Sequence, residues 1–118
     1  MFINLTNHPS SGWSKEQLEA ALEYGEIVDL PFPDIDEQAT ETEIKKLADE
    51  YVSAIKCKGN ADNLTVHIMG EMTFTYAMVS RLKALGITCI ASTTERLVKM
   101  MPDGKKISEF KFIQFREY

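Results

Sequence analysis

Two helix-start signals decide most of what this chain can become. Ser14-Lys15-Glu16-Gln17 and Thr40-Glu41-Thr42-Glu43 each set a hydroxyl three residues before a side chain that reaches back, the spacing of a capping box. Behind the first, Leu18, Ala21 and Leu22 keep helical spacing until Gly25 supplies a stop. Behind the second, Ile44, Leu47, Ala48, Tyr51, Val52 and Ile55 form an amphipathic stripe closed by Lys56, Lys58 and Gly59. A third helix is predicted over Met72–Leu85, ending at Gly86. Short apolar, β-branched runs lie between them: Met1–Leu5, Ile27–Leu30, Leu64–Met69 and Ile87–Ala91. Such runs read as buried strands. Strands alternating with helices predict an α/β fold, a Rossmann-like, mainly parallel sheet flanked by helices on both faces.

The C-terminal third breaks that rhythm. Leu97–Met101, Pro102-Asp103-Gly104 and Lys106–Phe115 predict a closing β-hairpin, with Asp103-Gly104 as its turn. In the last strand the alternation changes phase, placing Phe110 and Phe112 on one face and Ile113 and Phe115 on the other. A strand apolar on both faces calls for cover by a helix or a second subunit, and a homodimer is the expectation. Residues 1–118 are expected to form a single domain.

Charge and composition narrow the partners. The formal net charge is −5, with the carboxylates concentrated in Glu16–Glu50, so long nucleic acids should be repelled rather than gathered. No apolar run approaches the roughly 20 residues that cross a bilayer, so no membrane partner is expected. The N-terminus lacks the charged and long apolar regions of a secretion signal, and a cytoplasmic protein is the expectation. Cys57 and Cys89 have neither pairing nor ligand spacing and read as free thiols. His8 and His67 stand far apart without companion ligands, so neither a metal nor a cofactor is expected.

The predicted strand ends carry the polar chemistry. Asn7, His8, Ser10 and Ser11 follow the first strand, Gly70, Glu71 and Thr73 the third, and Ser92-Thr93-Thr94-Glu95-Arg96 the fourth. Parallel sheets bind ligands outside these carboxyl ends, and this side-chain set suits a small phosphate- or nucleotide-type ligand. His8 can move protons near neutral pH, or merely bond the backbone. Arg96 offers a rigid fork of donors to phosphate, or pairs with Glu95 or Glu71. Ser92, Thr93 and Thr94 can donate to the same group, or cap a turn. Gly70 allows a tight strand-to-helix turn and puts backbone N–H groups at a helix start that favours anions, although no G-x-G-x-x-G motif is present. Glu71 competes with a phosphate there, and otherwise binds ribose hydroxyls or adenine amino groups, or satisfies the helix end. Trp13 can stack on a base or staple the first helix. His67, between Val66 and Ile68, reads as a core or interface histidine.

Asn7-His8-Pro9, Gly70-Glu71, Ser92-Thr93-Thr94-Glu95-Arg96 and the tail Phe112-Ile113-Gln114-Phe115-Arg116-Glu117-Tyr118 together resemble the small stand-alone CRISPR-associated proteins related to CARF domains. Some of that group act as ring nucleases on cyclic oligoadenylates. The resemblance implies a CARF-like dimer that binds cyclic oligoadenylate, in particular cyclic tetra-adenylate, across its two-fold axis. It implies metal-independent cleavage by 2′-hydroxyl attack, which would switch off type III CRISPR signalling. His8 and Arg96 would then be catalytic; Asn7, Ser10, Ser11, Gly70, Glu71, Thr73, Ser92, Thr93 and Thr94 would hold the ligand. Two alternatives stand beside it: a non-catalytic sequestering protein with the same pocket, and an enzyme acting on a mononucleotide or nucleoside through Glu71.

Overall fold

Both predicted N-caps form, each through the hydroxyl half of its box, while Gln17 and Glu43 do not reach back to the N-cap amide. In the computed structural model, which describes residues 1–118, the Ser14 hydroxyl accepts from the Gln17 amide and opens α1 (Lys15–Leu22). The Thr40 hydroxyl likewise accepts from the Glu43 amide and opens α2 (Glu41–Lys56). A third helix, α3, spans Met72–Ala84. Five strands accompany them: β1 (Phe2–Leu5), β2 (Ile27–Asp29), β3 (Thr65–Ile68), β4 (Thr88–Met100) and β5 (Lys106–Glu117). They form one sheet in the order β2-β1-β3-β4-β5. The first four are parallel and β5 returns antiparallel to β4. The fold is therefore α/β, a mostly parallel sheet with three helices and a C-terminal hairpin, as expected.

The two-residue period of the strands sorts the core into two layers. Ile3, Leu5, Val66, Ile68 and Cys89 pack against Ile44, Ala48, Val52 and Ile55 of α2 and against Phe74, Ala77, Met78 and Leu82 of α3. The opposite face sends Phe2 and Ile90 against Ala21 of α1, with Trp13, Ile27 and Phe115 around them. With only eight residues, α1 covers a small part of its face, so the rest of that face is open to a ligand.

Three expectations are corrected. Ser92–Arg96 is not a strand-end loop. The pairing of β3 with β4 ends at His67 and Ile90, yet β4 continues to Met100, paired with β5 throughout. Side-chain polarity does not end a strand whose backbone groups still find partners across a ladder. The separate strands Ile87–Ala91 and Leu97–Met101 are therefore one, and β4 and β5 leave the sheet as a two-stranded arm. The arm stretches the molecule to 51 Å against 38 and 21 Å in its other dimensions. Its tip turns at Gly104, whose φ of 86° favours glycine, and Asp103 accepts there from the Lys105 amide.

Second, the phase change in β5 does not split its aromatics. Thr93 pairs with Gln114 but Thr94 with Phe112, leaving Ile113 as the extra residue of a β-bulge. A bulge resets the alternation. Phe110, Phe112 and Phe115, opposite Arg96, Thr94 and Ser92, thus share the α1 face, with the Phe112 and Phe115 ring centroids 4.9 Å apart. Third, Gly70 is required by packing and not by backbone conformation. Its φ is not positive, but a Cβ there would overlap the Phe32 ring. That ring is buried and meets Phe74 edge-on at 5.2 Å. Gly70→Ala is expected to destabilise the protein by about 1–3 kcal/mol through overpacking. Pairing it with Phe32→Leu should restore part of the loss in denaturant unfolding, and an undiminished midpoint in the single variant would refute the assignment.

The C-terminus closes the sheet. The Tyr118 hydroxyl donates to the Ile68 carbonyl at the end of β3, and the Tyr118 amide donates to the Cys89 carbonyl. Cys57 is exposed and Cys89 buried, both as free thiols, and burial pushes the Cys89 thiol up to about 11. No helix is long and apolar enough to cross a membrane.

Candidate functional site

The open part of the α1 face holds a cavity of about 860 Å³. Thr6, Asn7 and His8 enter it from the carboxyl end of β1, Met69 and Gly70 from that of β3, and Trp13, Ser14 and Gln17 from the start of α1. The arm forms the remaining wall through Ser92, Thr94 and Leu97 of β4 and Glu109, Phe110, Lys111 and Phe112 of β5. The bulge at Ile113 is what brings both phenylalanines to this side. The volume lies in the upper part of the range for small-molecule sites. The lining is mostly polar, with Trp13, Phe110 and Phe112 among hydroxyls, carboxamides, His8 and His67 and the charged Glu16, Glu109 and Lys111.

A buried polar network supports the floor. Asn4 is 1 % exposed although it lies between Ile3 and Leu5 on β1. Its amide nitrogen donates to the Asp29 carboxylate at 2.8 Å and to the His8 carbonyl at 2.9 Å. Its amide oxygen accepts from the Thr6 hydroxyl at 2.9 Å and lies 3.0 Å from His67 Nδ1. Both partners of the amide nitrogen can only accept, which fixes the orientation of the Asn4 amide. His67 Nδ1 must therefore carry the proton. Asp29 also accepts from the Ser10 amide and hydroxyl. Burial pushes the Asp29 carboxyl upward, but the bonds from Asn4 and Ser10 outweigh it and hold the group below its ordinary value.

His67 sits among aromatic rings. Its centroid lies 5.7 Å from Phe2, 5.5 Å from Trp13 and 5.2 Å from Phe115. Burial first, and the nearby His8 second, lower its pKa to about 4. The ring is neutral at physiological pH. The loop above it is tied down at one carbonyl, that of His8, which accepts from Trp13 Nε1 as well as from Asn4. Trp13 therefore packs as a wall and also faces the cavity.

The structure brings some of the expected site residues together and leaves others apart. Asn7, His8, Gly70, Ser92 and Thr94 all line the cavity. Ser10 is engaged by Asp29, and Ser11 belongs to the short turn Ser10–Gly12 outside the wall. Thr93 alternates to the other face, its hydroxyl donating to the Gln114 carbonyl. Arg96 lies outside the wall on the arm, donating from its Nε at 3.2 Å and a terminal nitrogen at 3.0 Å to the Ser108 hydroxyl. Glu71 is the N-cap of α3. Its carboxylate accepts from the Phe74 and Thr73 amides and from the Thr73 hydroxyl, and those bonds hold it below its ordinary pKa. The donors at the start of α3 are thus taken by the chain's own carboxylate, so an anion does not find them free.

Sequence reasoning did not make Asn4 or Asp29 a site residue, read His67 as a core or interface histidine, and did not assign Phe110 and Phe112 to the site. The available signal was Asn4 itself, since a carboxamide in the middle of an apolar strand must find partners. No group of three or more His, Cys, Asp and Glu side chains gathers where it can hold a metal ion. No curated protein and no solved structure matches the chain. A family profile does match it, over residues 1–116 of the 118. By that match the chain belongs to the Uncharacterized protein MJ1673 family.

Proposed function

We propose that this protein binds a cyclic oligoadenylate in the cavity on the α1 face, as a homodimer, and opens the ring. The observation that carries the reading is the cavity itself. It lies at the carboxyl ends of β1 and β3, and it combines aromatic walls, hydroxyls and the exposed His8. Aromatic rings are platforms on which bases stack. Residues 96–111 hold five lysines and arginines against two carboxylates, so the arm is locally basic in an acidic chain. Of these cations Lys111 lines the cavity, together with the carboxylates Glu16 and Glu109, so a ligand phosphate there meets one lysine and depends on hydroxyl and backbone donors for the rest. The dimer is supported by the exposed apolar side chains of the arm, among them Val98, Met100, Ile107 and Phe110. A two-stranded ribbon is marginal alone, and a second copy would cover it.

The cleavage step requires little of the protein. A ribose 2′-hydroxyl held in line attacks the adjacent phosphorus while His8 accepts its proton. The bond from phosphorus to the 5′-oxygen breaks, and that oxygen takes a proton back from the imidazolium. The products are linear, with a 2′,3′-cyclic phosphate and a 5′-hydroxyl. Positioning and one proton mover suffice for acceleration.

His8→Ala is expected to lower turnover of cyclic tetra-adenylate by about 100-fold or more while leaving its affinity near that of the parent. Calorimetric titration followed by separation of the nucleotides measures both. Ring left intact by the parent protein for hours would end the enzymatic claim. A second reading, a binder that sequesters the ring, is favoured by one observation: Arg96 is held by Ser108 outside the cavity wall. Tight binding without products would select it.

A further inference from the structure

His67 Nε2 is a buried acceptor with no partner. The Asn4 amide, fixed by Asp29 and the His8 carbonyl, obliges Nδ1 to carry the proton and leaves Nε2 as a bare lone pair. That atom is sealed from solvent and makes no hydrogen bond, on a residue only 2 % exposed. An unsatisfied buried acceptor costs about 1–3 kcal/mol, and a leucine or phenylalanine would fill the same space without that cost. The network of Asn4, Thr6 and Asp29 instead holds the ring in one tautomer and one orientation.

The surroundings say what the lone pair can receive. Of the three rings packed on His67, Phe2 and Phe115 are outside the cavity wall, and Trp13 alone is part of it. His67 itself also lines the cavity, and Trp13 is the one neighbouring ring that shares that wall with it. The three rings packed on His67 make the surroundings of Nε2 apolar, which suits the flat face of a base that displaces one of them and disfavours a hydrated ribose or phosphate.

Resting on the reading above, we infer that His67 Nε2 is the specificity acceptor of the site. It takes a hydrogen bond from the exocyclic amino group of a ligand adenine, with the Trp13 indole turning aside to admit the base. The site then discriminates adenine from a base without that amino group, because only adenine satisfies the acceptor.

The test uses the whole protein and three probes: cyclic tetra-adenylate, adenosine 5′-monophosphate, and the purine riboside monophosphate in which hydrogen replaces the amino group. Nitrogen NMR of labelled histidine follows His67 Nε2, and emission from Trp13, the sole tryptophan, follows the wall. An adenine nucleotide should move the Nε2 resonance from the bare position toward the hydrogen-bonded one and change the emission. The analogue should bind about tenfold more weakly and leave the resonance in place. In folded His67→Phe the two monophosphates should bind alike; retained discrimination would overturn the inference. Cyclic tetra-adenylate binding with an unmoved Nε2 would overturn it too, while leaving the cyclic-oligoadenylate reading intact. Adenosine monophosphate moving Nε2 where the ring does not bind would support the acceptor and remove that reading. No binding by any probe would end both.

Discussion

Acidification from pH 6.5 to pH 4 is expected to remove about 3 kcal/mol of folding stability through His67 alone, the free-energy equivalent of its lowered pKa. The folded-state value is about 4 and the ordinary value is 6.5, with burial the main cause and His8 the second. Between those two values the unfolded chain binds a proton that the folded chain does not. Stability therefore rises with pH through this window and falls as the solution is made acid. Above pH 6.5 the contribution of the neutral buried ring is fully present. Asp29 and Glu71, whose carboxyls are held below their ordinary values of 3.8 and 4.5, lose their contributions below those values, so they overlap only the acid end of the His67 window. Urea unfolding at several pH values measures the slope, and His67→Phe should flatten it between pH 4 and 6.5. A parent protein equally stable at both ends of the window would show that His67 is not buried as a neutral ring.

Asn4→Leu is expected to cost about 3 kcal/mol, as buried polar groups lose their partners. The substitution keeps apolar bulk on β1 but strips the His67 Nδ1–H of its acceptor and the Thr6 hydroxyl of one partner. The His8 carbonyl also loses a donor, and Asp29 keeps only Ser10. Part of the loss belongs to His67, so combining Asn4→Leu with His67→Phe should cost less than the two single variants together. When both members of a buried polar pair become apolar, neither is left unsatisfied. Strict additivity in denaturant midpoints would mean that Asn4 and His67 are not coupled.

The parts legible in the sequence are those whose cause is local. A hydroxyl three residues ahead of a carboxylate or carboxamide bonds the same helix start in nearly any context, which is why Ser14 and Thr40 cap α1 and α2 as read. The stripe from Ile44 to Ile55 is a statement about one helix, and it buries as its spacing requires. The apolar runs became strands for the same reason, and their alternation with helices is enough for the parallel sheet.

The arm was not legible because a strand's end is set by its partner. Ser92–Arg96 has the composition of a loop, yet β5 lies alongside and continues the ladder. Glu71 left three readings open until the amides of Thr73 and Phe74 selected one. Asn4 and Asp29 lie 25 residues apart, and only the pairing of β1 with β2 makes them neighbours.

The amino-acid sequence by itself determined the α/β class, the helix starts, the strands of the parallel core and the hairpin turn at Asp103-Gly104. Each of these depends on side chains within a few residues of one another. The tertiary structure alone decided the length of the arm and the side to which Phe110, Phe112 and Phe115 turn. It also decided that Gly70 yields space to Phe32, and that His67 keeps an empty lone pair beside the cavity. These follow from contacts between segments far apart in the chain, and the energies that set them exist only once the sheet has formed.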